Sequence, residues 1–134
     1  MFVAGMGTTG TLMGTNRYLK EKKPEVRTVG IEPTTCHTIQ GLKNMTEAIV
    51  PEIYDRNMLD EKITIEDGEA FEITRLLASK EGIFVGMSSG AAVAGALHVA
   101  KKMDSRTIVA ILPDRGDRYL STTLFRSICA KCPP

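Results

Sequence analysis

Tryptophan is absent from this sequence, and aromatic residues make up only 5% of it. Such a chain offers few flat side chains on which unpaired bases could stack, so single-stranded nucleic acid is not an expected ligand. Charge of one sign is also scarce, since 17 basic and 16 acidic residues leave a net charge of +1 and form no block. This balance argues against nucleic acid or an anionic membrane surface as a partner.

Long apolar runs are missing, and none approaches the roughly 20 residues that a membrane-spanning helix needs. A basic segment followed by an apolar one, typical of a secretory leader, is not seen at the start. Cysteine is rare, and the odd set of Cys36, Cys129 and Cys132 is typical of reduced thiols in a cytoplasmic protein. Cys129 and Cys132 form a C-x-x-C without a second pair or a nearby histidine, so we interpret them as tail thiols and predict no metal site.

The 134 residues, 43% of them hydrophobic, are enough for one domain with a core. Short apolar runs alternate with helical stretches. The predicted strands are Phe2–Ala4, Arg27–Glu32, Ile63–Ile65, Ile83–Gly86 and Arg106–Leu112, and the predicted helices are Gly10–Lys23, Glu66–Glu81, Ser89–Lys102 and Ser121–Ala130. Residues 34–61 are predicted to be loop with short helical turns. This order predicts an α/β fold, a parallel sheet with helices on both faces.

The first predicted strand has no chain before it, although a strand in a parallel sheet needs neighbours and cover on both faces. We therefore expect residues 1–134 to be part of a larger protein.

The opening stretch, FVAGMGTTGTLMG, contains a G-x-G-x-x-G at Gly5, Gly7 and Gly10. Glycines let backbone N–H groups approach an anion, and the predicted helix that follows directs its positive end at the same point. Three threonines, Thr8, Thr9 and Thr11, add hydroxyl donors. The loop is thus suited to a phosphate, although a tight turn without a ligand has the same pattern.

A dinucleotide is one possible ligand that would carry this phosphate. Glu32 ends the next predicted strand, 22 residues after Gly10, near the distance at which an acidic residue holds the ribose of a dinucleotide. Pro33, which follows directly, and the crowded threonine hydroxyls count against this interpretation.

Two further turns have the same arrangement of strand followed by polar residues. GIFVGMSSGAAVAGAL (82–97) places Ser88 and Ser89 at the start of a helix, where either could cap it or face a ligand. LPDRGDRYLST (112–122) could be an exposed charged loop. If all three turns follow strands of one parallel sheet, they meet at its carboxyl edge, where open α/β sheets bind ligands.

Five stretches, in this order and spacing, resemble the C-terminal half of the cysteine synthase family, the O-acetylserine sulfhydrylases and their cystathionine β-synthase relatives. They are VAGMGTTGTLMG, GIEP, IQGLKNM, EGIFVGMSSGAA and PDRGDRYLST, and the resemblance runs from Phe2 to about Phe125. These enzymes use pyridoxal 5'-phosphate and have the tryptophan-synthase β-like fold, fold-type II. The resemblance implies the same fold and cofactor here.

The resemblance also implies roles for single residues. The loop for the cofactor phosphate falls on Gly7, Thr8, Thr9, Gly10 and Thr11. Ser88 matches the serine beside the pyridine nitrogen, where a neutral hydroxyl leaves that nitrogen largely unprotonated. The mobile loop over the substrate falls on Gln40, Gly41 and Lys43. Lys43 could meet the phosphate of phosphoserine, or it could be a solvated surface lysine. Asp114 and Tyr119 would close or pack the site.

The reaction implied is β-replacement on an activated serine, O-acetylserine or O-phosphoserine, with a sulfur donor to give L-cysteine, in a homodimer of the complete enzyme. The family's Schiff-base lysine and its loop for the substrate carboxylate belong to the N-terminal half, and no lysine here lies in a comparable glycine-flanked turn. We therefore assign no catalytic residue in this chain, expect an N-terminal half in cis or in trans, and expect the chain alone to be inactive. A non-catalytic module that binds a phosphate or a partner is the alternative.

Overall fold

The computed structural model describes residues 1–103 and 107–125. The strands and helices in chain order are β1 (Phe2–Gly5), α1 (Gly10–Lys22), β2 (Thr28–Pro33), β3 (Glu61–Ile65), α2 (Asp67–Glu81), α3 (Met87–Ala100) and β4 (Val109–Ala110). Short 3-10 turns lie at Arg56–Met58, Gly116–Tyr119 and Thr123–Phe125. Between β2 and β3 the chain is mostly irregular, as the sequence predicts for residues 34–61.

All four strands run parallel in the order β3-β2-β1-β4, which confirms the predicted parallel sheet. In β1, Val3 lies opposite Val29 of β2 on one side and Ala110 of β4 on the other. β1 is therefore central, and its carboxyl end leads into the glycine-rich loop at the middle of the sheet edge.

Helices cover both faces of the sheet. Because successive side chains of a strand point to opposite faces, β1 divides its residues between two core clusters. Phe2 and Ala4 pack with Leu12 and Met13 of α1. Val3 packs on the other face with side chains of α2 and α3, including those of Ala70 and Ala94. The sequence predicts this two-sided cover, and the structure confirms it.

The predicted strand Ile83–Gly86 is wrong. Its one pairing within the described part of the chain is an isolated antiparallel bridge between Val85 and Arg115. Gly82 ends α2 with a φ of 68°, and only four residues separate it from α3, too few to cross back to the sheet. Phe84 packs instead on Phe125, with ring centroids 5.1 Å apart.

Two other predicted elements differ from the structure. Of the described residues 107–112 in the predicted strand Arg106–Leu112, only Val109–Ala110 pairs with β1. The predicted helix Ser121–Ala130 has a 3-10 turn at Thr123–Phe125 in its described part, and its remainder lies outside the described residues, as do Cys129 and Cys132. Among residues 1–103 and 107–125, no helix is long and apolar enough to cross a membrane.

Candidate cofactor site

A cavity of about 180 Å³ opens at the carboxyl end of β1. It is lined by the glycine-rich loop from Gly7 to Thr11, by Gly41 and Leu42 of the long loop, by Ser88 of α3 and by Pro113 after β4. Four segments that are far apart in the sequence therefore meet at one edge of the sheet.

Thr9 has the most unusual environment in the glycine-rich loop. Its φ of 63° lies in the left-handed region, which is unfavourable for a β-branched residue. The residue is only 3% exposed, and its buried hydroxyl has no hydrogen-bond partner among the described residues. Leaving a buried hydroxyl unpaired costs about 1–3 kcal/mol, so strain and a free donor coincide at the wall of the cavity. This combination is typical of a site built for a ligand.

Helix α1 begins at the same wall. Thr9 precedes its first residue without a side-chain cap, and the first helical hydrogen bond runs from the Met13 N–H to the Thr9 carbonyl, 2.8 Å. The N–H groups before Met13 therefore have no partner within the helix. They supply a positive helix end at the cavity, an arrangement that favours phosphate.

Gly41 brings the long loop into the cavity. A Cβ on Gly7 would lie 2.6 Å from the Gly41 carbonyl oxygen, so these two backbones approach closely because Gly7 has no side chain. Gly41 itself has a φ of 90°, and a Cβ there would lie 3.7 Å from the Ser88 hydroxyl. The long loop at Gly41 therefore lies between the glycine-rich loop and Ser88.

The other predicted residues of the long loop, Gln40 and Lys43, are held beside the site by backbone hydrogen bonds. The Gln40 N–H donates to the Met87 sulfur, 3.1 Å, and the Lys43 N–H donates to the Met6 carbonyl, 2.7 Å. Both side chains are exposed, and the cavity lining in the described part of the chain includes Gly41 but neither Gln40 nor Lys43.

Ser88 and Ser89 occupy the first turn of α3, and both are buried. Neither caps the helix, whose N-cap is Gly86, so the capping interpretation is wrong. Both hydroxyls instead contact Oδ1 of Asp114, Ser88 at 3.4 Å and Ser89 at 3.3 Å. The carboxylate therefore lies beside the start of α3, where negative charge is favourable.

Tyr119 completes this cluster, because its hydroxyl donates to Oδ2 of Asp114. Burial, together with the hydrogen bond to Asp114 and its charge, raises the pKa of Tyr119 to about 12, against a weaker opposing effect of Arg118. Tyr119 thus keeps its proton and holds the carboxylate in place.

A comparison with protein families matches residues 1–114 to the pyridoxal-phosphate dependent enzymes. The chain belongs to this family.

Several pyridoxal-phosphate dependent enzymes are close in sequence or structure. Cysteine synthase B of Pseudomonas aeruginosa is 45% identical over 124 residues, which cover 92% of this chain and 42% of that protein. O-ureido-L-serine synthase of Streptomyces lavendulae is 43% identical over 138 residues, covering 95% and 42%. The structure of O-acetyl serine sulfhydrylase isoform 3 from Entamoeba histolytica matches with a TM-score of 0.87 at 38% identity, covering 95% and 41%. The chain spans about two fifths of the length of these relatives.

The residues present fit the cofactor of this pyridoxal-phosphate dependent family. The unpartnered hydroxyl of Thr9 and the free N–H groups of α1 are donors for a phosphate. The apolar side chains of Leu42 and Ile111 line the same cavity and are suited to an aromatic ring.

The structure also removes the main support for a dinucleotide. Glu32 is buried, and its Oε1 lies 2.5 Å from Nζ of Lys62. Its Oε2 accepts a hydrogen bond of 3.3 Å from the Met45 N–H. Both carboxylate oxygens are engaged within the protein, so Glu32 is not free to hold a ribose.

Sequence reasoning underestimated two residues of the site. The resemblance implies that Asp114 helps to close or pack the site. In the structure its carboxylate accepts hydrogen bonds from the hydroxyls of Ser88, Ser89 and Tyr119. Its position directly after a strand and Pro113 was the available signal. Gly86 was not singled out, yet a Cβ there would lie 2.6 Å from Oδ1 of Asp114, so only glycine leaves room for the carboxylate.

Proposed function

We propose that this chain is the C-terminal, phosphate-binding part of a pyridoxal-phosphate dependent cysteine synthase. The complete enzyme would replace the β-substituent of O-acetylserine or O-phosphoserine with sulfur to give L-cysteine. The names of the relatives support the reaction class. The observation that carries the proposal is the buried, unpartnered hydroxyl of the strained Thr9 at the N-terminus of α1.

When bound, pyridoxal phosphate supplies an electron sink that lets a β-substituent leave and a nucleophile take its place. The chain's own residues hold and orient it. Backbone N–H groups from Gly7 to Thr11, with the threonine hydroxyls, would bind the phosphate, and Ser88 would contact the ring. Because Gly41 has no side chain, the long loop can lie against both the glycine-rich loop and Ser88.

The exposed positions of Gln40 and Lys43 suit a loop that closes over the substrate. A phosphate on the substrate would pair with the Lys43 ammonium, whereas an acetyl group would not. Activity with O-phosphoserine should therefore depend on Lys43 more than activity with O-acetylserine.

The remaining parts of the site lie, on this proposal, in an N-terminal half that supplies the Schiff-base lysine and the loop for the substrate carboxylate. The relatives are more than twice as long as the part that matches this chain. The complete enzyme would be a homodimer, and residues 1–134 alone would not turn over substrate.

The test uses the complete protein and the isolated chain side by side, each supplied with pyridoxal phosphate, sulfide and either activated serine. Mass spectrometry identifies the amino-acid products. We expect cysteine from the complete protein only. Absence of β-replacement by the complete protein, or normal turnover by the isolated chain, would contradict the proposal.

Lys43→Gln in the complete protein separates the two substrates. We expect about a tenfold loss in kcat/KM for O-phosphoserine, the size of one lost charge-assisted hydrogen bond, and little change for O-acetylserine. Lys80→Gln, on the exposed end of α2, is the matched control. Equal losses in kcat/KM with both substrates would show that Lys43 does not distinguish the two leaving groups.

A further inference from the structure

Strand β4 lies at one edge of the sheet, yet its sequence is unusual for an edge strand. Residues 107–112 read TIVAIL and contain no charged side chain. Edge strands are normally protected from pairing by charges, prolines or bulges, whereas a continuous apolar run is typical of a strand inside a parallel sheet. These residues are all exposed or half-buried, and Val109 is 52% exposed. The sequence of β4 therefore suits an interior strand, although its position is at an edge.

The opposite edge of the sheet, formed by β3, has the usual protection. β3 begins with Glu61 and Lys62. Glu61 pairs with Arg27 at 3.4 Å and with Lys102 at 3.7 Å, and Lys62 pairs with Glu32 at 2.5 Å. Such charges disfavour the addition of a further strand. The absence of charge from residues 107–112 is therefore a feature of the β4 edge and not of the whole sheet.

The backbone of β4 has hydrogen-bonding groups on both sides. The Val109 N–H donates to the Met1 carbonyl, 2.9 Å. The Ile111 N–H donates to the Val3 carbonyl, 3.1 Å. Because alternate residues of a strand direct their backbone groups to opposite sides, the Ala110 N–H points away from β1. Within the described residues β1 is the only strand that pairs with β4, so Ala110 presents a free donor at the edge.

Both layers of the core continue onto β4. Ile108 and Ala110 pack on the cluster shared with α2 and α3, whereas Ile111 packs on the cluster shared with α1. All three are only partly buried, although Val3 and Ala4 in the neighbouring β1 are 0% and 2% exposed. A strand added beside β4 would extend both layers at once, which a helix or loop lying on one face would not do.

We propose that an extended segment of the N-terminal half of the complete protein pairs with the outer edge of β4 and continues the sheet. This inference rests on the proposed function for the existence of that half, since the relatives are more than twice as long as the part that matches this chain. Main-chain hydrogen bonds to Ala110 would hold the segment, and its side chains would cover Val109 on one face and Ile108 on the other.

Hydrogen exchange of single amides in the wild-type complete protein, followed by mass spectrometry with electron-transfer fragmentation, tests the pairing. The Ala110 amide should exchange at least about a thousandfold more slowly than in an unstructured peptide, as the Ile111 amide should. Thr64 in β3 is the internal control. The neighbouring Ile65 carbonyl accepts from the Thr34 N–H, 3.1 Å, so the Thr64 N–H points away from β2 and should exchange fast. Equal rates at Ala110 and Thr64 would overturn the proposal.

A photo-cross-link in the complete protein identifies what covers the edge. The photoreactive residue p-benzoylphenylalanine replaces Thr107, which is exposed at the start of the TIVAIL run, and mass spectrometry sequences the peptide that it links. We expect a peptide of the N-terminal half as the main product. The same replacement at the exposed Tyr18 of α1 is the control and should not link that peptide. A main product from residues 1–134, whether of the same chain or of a second copy, would overturn the choice of occupant.

Two variants of the complete protein measure what the outward N–H of Ala110 contributes. Ala110→Pro removes it and should raise the equilibrium constant of unfolding by about a hundredfold. Ala110→Gly keeps the N–H and should have a much smaller effect. Proline is accepted on edge strands whose N–H faces solvent, so an Ala110→Pro protein as stable as wild type would contradict the proposal.

The proposed function is assayed on the same wild-type preparation. β-Replacement activity together with a fast Ala110 amide would refute the added strand alone. A slow Ala110 amide without β-replacement would refute the proposed function alone.

Discussion

Thr9 combines two costs at a single residue: a left-handed backbone conformation and a buried hydroxyl without a partner among the described residues. Native structures retain such unfavourable features mainly at functional sites, where binding of a ligand compensates for them. For this reason Thr9 is more informative about the site than its exposed neighbours Thr8 and Thr11.

Thr9→Val should therefore separate binding from stability. Valine keeps the shape but removes the hydroxyl, so pyridoxal phosphate should bind about tenfold more weakly to the complete protein. The free energy of unfolding without cofactor should not fall, because the Thr9 hydroxyl has no hydrogen-bond partner among the described residues. Titrations and chemical denaturation measure the two quantities.

Thr74→Val is the matched control for that experiment. Thr74 is also fully buried, but its hydroxyl donates to the Ala70 carbonyl, 2.7 Å, on the far side of α3. Cofactor binding should be unchanged in this variant. Equal weakening in both variants would refute a ligand role for the Thr9 hydroxyl.

Tyr119 should make the protein sensitive to alkaline pH. Its folded-state pKa, about 12, lies above the ordinary 10.0 because of burial and Asp114. The stabilisation is therefore fully present below pH 10 and is lost as the pH rises toward 12, by roughly 2 kcal/mol in total. Tyr119→Phe should lose this alkaline slope in unfolding curves, whereas Tyr18→Phe, at an exposed position, should retain it.

At the scale of secondary-structure elements, the contact between α2 and α3 depends on a glycine. A Cβ on Gly90 would clash with the Ala70 carbonyl oxygen and the Thr74 hydroxyl, and it would lie 3.0 Å from the Thr74 N–H nitrogen. Two of these atoms belong to helix backbone and cannot move separately. The two helices can therefore pack at this distance only with glycine at position 90.

Gly90→Ala should destabilise the protein by about 1–3 kcal/mol, since the helices must separate. Gly14→Ala is the opposite case, because position 14 lies within α1 and a Cβ there meets nothing within 4 Å. It should stabilise the protein by up to about 1 kcal/mol through helix propensity. Denaturant midpoints measure both, and a tolerated Gly90→Ala would show that the interface is looser than described.

At the scale of the whole molecule, Asp60 joins α1 to the sheet. Its Oδ2 accepts hydrogen bonds from Nζ of Lys20, 2.9 Å, and from the Thr28 N–H, 2.8 Å. Burial alone would raise the pKa of Asp60, but the hydrogen bonds from Thr28 and the charge of Lys20 outweigh it, so the pKa is lowered.

The stabilisation that Asp60 provides through Lys20 and Thr28 should be lost in acid. A lowered folded-state pKa gives stability that is present above the ordinary value of 3.8 and is lost as the pH falls through the folded-state pKa. Asp60→Asn should cost about 1–2 kcal/mol at neutral pH and flatten the acid decline. Glu21→Gln, which removes an exposed pair with Lys22, should change stability by less than about 0.5 kcal/mol. Acid unfolding that is the same in wild type and Asp60→Asn would contradict this account.

Local patterns in the sequence were sufficient to predict most of the alternation of strands and helices, the parallel sheet and the turn from strand to helix at the glycine-rich loop. These features depend on neighbours along the chain: apolar periodicity, glycines at a strand end and a helix that follows. They could therefore be inferred without knowing which distant segments meet.

Tertiary structure alone decided the rest, because it depends on contacts between residues far apart in the sequence. Periodicity could not show that Lys62 engages Glu32, or that Ile83–Gly86 lacks a place in the sheet. Nor could it bring Asp114 to Ser88, 26 positions away. A polar side chain is equally plausible at a surface, in a pair or at a site until the fold supplies its neighbours, and those neighbours determine its chemistry.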